Sequence, residues 1–236
     1  MINVTVLGAS GRMGTTVTRA VEAAADMALV ADLAHAQVAV EFTVPAASEG
    51  NVHRLIDAGV HAVVGTSGWT DDALARVREH LATAPGVGVL IAPNFALSAV
   101  LSMRFAALAA PYFESVEIVE LHHPDKLDAP SGTALHTAKG VAAARSAKGV
   151  GPSPDATASD PGGARGAVVE GIHVHAVRLR GLTAHEEVLL GNPGEQLTIR
   201  TDSFDRSSFM PGVLLGIREV ANHPGLTVGL DGYLAL

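Results

Sequence analysis

Residues Glu120 to Ala134, ELHHPDKLDAPSGTA, crowd two adjacent histidines, a lysine and a Ser-Gly-Thr turn into one short stretch. Side chains of these types at this spacing bind an anion, move a proton or hold a metal ion. His122 and His123 follow an apolar run that reads as a strand, and on an extended chain they point to opposite sides. They therefore do not easily serve one metal, and no third ligand stands at metal spacing. Asp125 and Asp128 lie in a run that favours turns and caps. Lys126 follows His122 by four residues, in a loop able to fold back toward it. Ser131, Gly132 and Thr133 open an alanine-rich helix whose first turn would turn backbone N–H groups and two hydroxyls outward, toward a carboxylate or phosphate. Capping by Ser131 or Thr133 accounts for the hydroxyls but leaves the lysine and the histidines unexplained. An imidazole, with an ordinary pKa of about 6.5, exchanges protons near neutral pH. The stretch reads as a positive pocket for a small anion.

That pocket is a local feature of an acidic chain. The 236 residues carry 16 Lys and Arg against 24 Asp and Glu, a formal net charge of −8, which argues against a nucleic-acid partner. With 48% hydrophobic and 17% charged residues the chain is expected to fold, as one large α/β domain or two smaller ones. The absence of cysteine excludes disulfides, thiolate metal sites and a cysteine nucleophile, and suits a reducing cytoplasm. The opening MINVTVLGASGRMG enters a strand without a charged targeting region. The longest uncharged run, Val87 to Met103, is interrupted by Pro93-Asn94 and reads as core rather than a membrane span. A soluble, cytoplasmic protein with no membrane partner is expected.

The elements that must position the pocket follow from hydrophobic periodicity. Strands are predicted at Val4–Leu7, Ala28–Leu33, Val38–Phe42, His61–Gly65 and Gly88–Ala92, alternating with helices at Arg12–Ala25, Ala47–Ala58 and Asp71–Ala82. Short β-branched runs separated by helices indicate a parallel, Rossmann-like sheet buried on both faces. A helix at Ser98–Ala110, stopped by Pro111, leaves this sheet. A second α+β section follows, with a strand at Val116–Leu121, a helix at Thr133–Arg145 and a Gly/Pro/Ser/Ala-rich loop at Ser146–Arg165, long enough to suggest mobility. Strands at Ile172–Arg180, Glu186–Leu190 and Gln196–Asp202 alternate in character, as in an antiparallel sheet, and a helix at Phe209–Ala221 closes the chain. The expected division is a dinucleotide-binding domain over 1–97, to which 207–236 returns, and a substrate-binding and oligomerisation domain over 98–206, built on a mixed or antiparallel sheet.

Ligands of parallel sheets lie at the carboxyl ends of the strands. The first such end reads Gly8-Ala9-Ser10-Gly11-Arg12-Met13-Gly14, between a strand and a helix, where glycines bring backbone amides and a helix N-terminus to a diphosphate. Arg12 can add a phosphate contact. Asp32 stands near the end of the second strand, where an acid would meet an adenosine ribose. Gly65-Thr66-Ser67-Gly68 and Ala92-Pro93-Asn94-Phe95 complete a rim of small residues at the ends of later strands. The nine histidines outside the Glu120–Ala134 stretch are scattered and read as surface or structural.

GASGRMG, EFTVP, GTSG, APNFA, ELHHPDKLDAPSGTA and DSFDRSSFMPGV occur in an order that resembles the dihydrodipicolinate (4-hydroxy-tetrahydrodipicolinate) reductases, over nearly the whole chain. The resemblance implies a cytoplasmic, homotetrameric oxidoreductase of diaminopimelate and lysine biosynthesis that uses NADPH or NADH on a small cyclic dicarboxylate. It implies that His122 is the proton donor and acceptor and Lys126 a proton donor. His123, Gly132 and Thr133, with Ser131 alongside, would bind substrate. Gly8, Ala9, Ser10, Gly11, Arg12, Met13, Gly65, Thr66, Ser67, Ala92, Pro93, Asn94 and Phe95 would contact the cofactor. Two departures stand out: the connection after the second strand is short, and Ala34 stands where many members carry the ribose-binding acid, with Asp32 two residues earlier. Use of both nucleotides, and closure of one domain on the other, are expected. Another reductase of an imino or keto dicarboxylate, or a dinucleotide-binding module without turnover, are the alternative readings.

Overall fold

Six parallel strands form the first sheet of the computed structural model, which describes residues 1–234. They are β1 (Ile2–Leu7), β2 (Met27–Leu29), β3 (Val38–Glu41), β4 (His61–Val64), β5 (Gly88–Ile91) and a C-terminal strand, Gly225–Val228, in the spatial order Gly225–Val228, β5, β4, β3, β1, β2. Helices α1 (Arg12–Ala23), α2 (Pro45–Asp57) and α3 (Asp71–Leu81) connect them. All residues of β3 and β5 are buried, as a parallel sheet covered on both faces requires. Helix α3 shows how local signals set an element. Thr70 caps it by accepting from Ala73 N–H, Asp71 and Asp72 lie in its first turn, Arg78 and His80 in its last, and Ala73, Val77 and Leu81 form its buried stripe. Val52, Leu55 and Ile56 of α2 and Val77 and Leu81 of α3 pack on Ala39, Ala62, Val64 and Val89 of the sheet.

The chain divides into two compact units, Met1–Leu97 with the segment from Arg206 onward, and Ser98–Asp205. The second unit is built on β6 (Ser115–His122), β7 (Ala167–Val169), β8 (Ile172–Arg178), β9 (Ala184–Asn192) and β10 (Glu195–Ser203), in the order β10-β9-β6-β8-β7. The strand Gly225–Val228 of the first sheet is β11. Helix α4 (Leu97–Ala109) and helix α5 (Gly132–Ala147) contribute Ala106, Ala134, Ala138 and Val141 to a core with Val116, Ile118, Val174, Val188 and Leu190. Alanines here let helix backbones approach the sheet closely. Helix α6 (Met210–Glu219) belongs to the first unit, where Arg218 pairs with Asp26.

The fold is the expected α/β arrangement of a parallel sheet and a second, mixed one. Several details differ from the sequence reading. Strand β2 ends at Leu29 because Asp32 accepts from Ala34 N–H and starts a 3-10 turn, Leu33–His35. Helix α4 ends at Ala109, as Pro111 requires, and Pro111 itself sits early in a 3-10 turn, Ala110–Tyr112, where its missing N–H is harmless. Strand β8 pairs antiparallel with β7 but parallel with β6, and this one parallel pairing makes the second sheet mixed, while β9 and β10 pair antiparallel as expected. The short strands β7 and β11 were not foreseen; three or four residues carry too little periodicity. Within the segment expected to be a loop, Arg165 pairs with Glu117 and Asp155, and Ser153 Oγ accepts from Val116 N–H. No helix among the described residues is long and apolar enough to cross a membrane.

Arg145, only 4% exposed near the end of α5, holds this region by donating to the carbonyls of Ala110, Phe113, Glu114 and Gly151. Arg145→Met fills the same space without the donors and strands those carbonyls. Chemical denaturation should show a loss of about 3 kcal/mol.

Candidate active site

In the first unit the candidate residues gather on one edge because β1, β3, β4 and β5 are parallel neighbours whose carboxyl ends share a side. The chain leaves β1 toward β2 on one side and returns to β3 on the other, so the glycine loop opens at the switch of strand order. Gly8 has φ +82°, and a Cβ there would lie 2.3 Å from Phe42 O. Gly11 is the N-cap of α1 and brings no capping side chain, and α1 has no acidic residue in its first turn. A Cβ on Gly14 would lie 2.0 Å from Gly8 O, so this glycine lets the helix sit against its own entry loop. Ala9, Ser10, Gly11 and Arg12 are exposed, with Met13 half-buried. A glycine turn with exposed backbone and a helix start free of side-chain caps and acids fits a dinucleotide's diphosphate.

The neighbouring loops are fixed from below. Glu41, fully buried at the end of β3, accepts from Thr43 N–H, the Thr43 and Ser48 hydroxyls and Asn51 Nδ2. Thr66 is buried and its hydroxyl accepts from Thr43 N–H, while Trp69 Nε1 donates to Thr66 O. A Cβ on Gly65 would lie 2.0 Å from the Phe42 ring, and that ring packs 5.9 Å from the ring of buried Phe95. Asn94 Oδ1 accepts from Ala96 N–H. Within the rim, then, the side chains of Thr66, Ala92 and Phe95 are buried, and Ser67 and Pro93 are exposed. Asp32 is exposed at the start of the 3-10 turn it caps.

In the second unit the Glu120–Ala134 stretch is organised by a residue to which the sequence reading assigned no role. Glu120 is fully buried on β6. Its Oε2 accepts from His122 Nδ1 at 2.6 Å and Arg178 Nη1 at 2.7 Å; its Oε1 accepts from Arg178 Nη2 at 2.8 Å and Ser131 N–H at 3.1 Å. Arg178 reaches it from β8, where it stands opposite His122 in the parallel register, and also donates to Asp128 O. Burial alone would raise the Glu120 pKa, but the bonds from His122 and Arg178 hold it down at about 2. With the carboxylate ionised, His122 carries its hydrogen on Nδ1 toward Glu120, which leaves Nε2 to exchange a proton.

His123, one residue past the strand, is half-buried. Lys126 donates to Asp128 at 2.8 Å, and its own N–H reaches His123 O. The Asp128 pKa is lowered: burial pushes it up, and Lys126 and the Gly132 N–H outweigh that. The start of α5 and Lys126 thus meet a carboxylate within the chain itself. Ser131 departs from expectation. It is buried, its hydroxyl accepts from Ala134 N–H as the N-cap and its N–H goes to Glu120, so it does not face outward. Gly132 is exposed and Thr133 half-buried in the first turn. Among the described residues no group of three or more His, Asp or Glu could hold a metal ion. The signal for Glu120 was a charged residue two places before His122, at an inward position of a strand whose other inward residues, Val116 and Ile118, are apolar. Arg178 left no comparable trace, since its place depends on strand register.

The chain matches the family models described as dihydrodipicolinate reductase, N-terminus, over residues 2–37 and 32–95, and dihydrodipicolinate reductase, C-terminus, over 98–234. A 4-hydroxy-tetrahydrodipicolinate reductase of Beutenbergia cavernae is 64% identical, with 100% of this chain and 99% of that protein covered. One from Streptomyces coelicolor is 59% identical over 100% and 98%. A solved structure, dipicolinate-bound dihydrodipicolinate reductase from Paenisporosarcina sp. TG-14, superposes with a TM-score of 0.86 at 34% identity, covering 99% of this chain and 100% of that one.

Glu120 has a depressed folded-state pKa, so its stabilising effect is full above the ordinary value of 4.5 and is lost as the pH falls toward about 2. Denaturation of Glu120→Gln at neutral pH should show a loss of about 3 kcal/mol. The difference from wild type should shrink steadily below the ordinary carboxyl range.

Proposed function

We propose that this chain, which belongs to the dihydrodipicolinate reductase family, reduces 4-hydroxy-tetrahydrodipicolinate to tetrahydrodipicolinate with NADPH or NADH, in diaminopimelate and lysine biosynthesis. The observation that carries this reading is the Glu120–His122–Arg178 cluster beside the Lys126 and α5 anion site, which suits a small dicarboxylate that must be held and protonated. The net reaction takes up a hydride and a proton and releases the 4-hydroxyl as water. When bound, the reduced nicotinamide dinucleotide supplies the hydride.

His122 supplies and recovers the proton at Nε2. Glu120 holds the ring by Nδ1, while Arg178 keeps Glu120 from competing for that proton. Lys126 and the first turn of α5, at Gly132 and Thr133, bind the substrate's carboxylates, exchanging Asp128 for the ligand. Lys126 also donates a proton. His123 helps to hold the ring, and Ser131 acts through the cap it forms. On the first unit, Gly8–Met13 take the diphosphate, with Arg12 adding charge, and Gly65–Ser67 and Ala92–Phe95 line the nicotinamide half. Asp32 meets the adenosine ribose. Because Asp32 is exposed and no arginine stands in the connection Leu33–Gln37, neither nucleotide is strongly selected.

The enzyme works as a cytoplasmic homotetramer. Support comes from the second sheet's face opposite α4 and α5, which presents Val119, Leu121 and Val177 among Glu117, His173 and His175. Light scattering should give four times the chain mass.

Steady-state kinetics with both nucleotides and this substrate, beside a panel of other imino and keto dicarboxylates, tests the reaction. His122→Ala and Lys126→Ala should each lower kcat by about 10²-fold or more while dinucleotide affinity stays within about twofold. Near wild-type turnover in either variant would remove that residue from its role. Asp32→Ala should raise kcat/KM for NADPH relative to NADH by about fivefold, through loss of a negative charge near a 2′-phosphate.

A further inference from the structure

Glu186 is a second buried carboxyl on the sheet face that carries Glu120 and His122. It lies on β9 directly opposite Glu120 on β6, in an antiparallel register that points both side chains the same way, with Cβ atoms about 5 Å apart. It is 3% exposed, its Oε2 is buried without a hydrogen-bond partner, and its Oε1 lies 2.7 Å from the Thr137 hydroxyl of α5. That hydroxyl also lies 3.0 Å from Thr133 O, one turn back, at the helix start assigned to substrate. A threonine has one hydroxyl hydrogen. If Thr137 donates it to Thr133 O, the Glu186 contact is a hydrogen bond only when Glu186 supplies the other hydrogen. An ionised Glu186 would have to take the hydrogen from Thr133 O and would still keep a charged oxygen in the core without a donor, beside the ionised Glu120.

We infer that Glu186 is a positioning residue of the substrate site, protonated when the site is set to receive an anion, and that its ionisation weakens anion binding at the start of α5. The inference rests on the proposed reaction only for its kinetic consequence.

The surroundings agree. On β6 the charged neighbour is Glu120, with His122 beyond it; on β8 it is Arg178, already committed to Glu120. From α5 the Thr137 hydroxyl faces Glu186, while His136 and Lys139 are exposed. On β10 the register partner is Thr201, bonded to Ser98 of α4. On β9 itself Val188 follows on the same face. No cation is paired with Glu186 among these. Burial first, and the Glu120 charge in addition, raise its pKa to about 7 against the pull of Thr137.

Because the folded state keeps a proton that the unfolded chain releases at the ordinary value of 4.5, Glu186 destabilises the fold progressively as the pH rises from there to about 7. Glu186→Gln reproduces the donor and acceptor of the neutral acid and cannot ionise. Wild type and variant, as full chains, are compared from about pH 5.5 to about pH 9 by infrared difference spectroscopy with carbon-13 glutamate, thermal melting and steady-state kinetics. Wild type at low pH should show a protonated-carboxyl band that the variant lacks and that disappears near neutrality. At about pH 9 the variant should melt about 5–10 °C higher, and the gap should narrow to about half of that or less at about pH 5.5. The ratio of wild-type to variant substrate KM should rise about fivefold across a single-proton inflection near neutrality, with little change in the ratio of kcat values. A packing role alone would leave both ratios flat with pH. Lack of the band, a flat KM ratio in active enzymes, or failure of Glu186→Gln to fold would each overturn the proposal. If neither protein turns over the substrate, the reaction assignment fails, while the spectroscopic and melting results still decide the protonation of Glu186.

Discussion

The second unit depends on one buried charge. Glu120 sits at an inward position of β6 where an apolar residue would be the easier choice, and taking a carboxylate out of water is costly unless every acceptor site is met. Arg178, His122 and the Ser131 amide meet them from three parts of the chain: the neighbouring strand β8, the end of β6 itself and the cap of α5. The carboxylate therefore does more than orient a histidine. It fixes where α5 begins, and Arg178's further bond to Asp128 O ties down the loop between the histidines and the helix. Position of the imidazole, tautomer of the imidazole and direction of the helix N-terminus all follow from the same two oxygens.

The first unit repeats the device with neutral donors. Glu41, at the end of β3, gathers the donors of Thr43, Ser48 and Asn51, and Thr43 in turn links to Thr66 after β4. In both units a fully buried glutamate near the carboxyl end of a strand stiffens the loop that follows. Loops at such ends must approach ligands closely and carry little apolar mass of their own, so their order comes from polar anchoring. Glycines 8, 14 and 65 meet the complementary requirement, since a Cβ at any of them would collide with Phe42 or with the loop itself.

Three carboxylates in the second unit show how environment separates roles that composition cannot. Glu120, with an arginine and a histidine, is held ionised. Asp128, paired to Lys126 near the surface, is held ionised. Glu186, equally buried but offered only a hydroxyl, is pushed the other way. Partners and solvent, not residue type, set these differences.

Much was legible in the sequence. Period-two and helical patterns, short β-branched runs and glycine punctuation marked the parallel sheet, its helices and the loops at its carboxyl edge, because these signals act within a few residues. The same locality exposed the histidines, Lys126 and the Ser-Gly-Thr helix start, and the ordered motifs matched a family over both sections. What depended on register was hidden. That β8 runs parallel to β6 and sets Arg178 opposite His122, that Glu186 faces Glu120, and that Ser131 turns inward to serve Glu120 are decided by which strands pair and by how far they slide. A sequence shows which residues share a face of one strand. Only the folded sheet determines which face of which neighbour they meet, and the charge of a buried group is settled there.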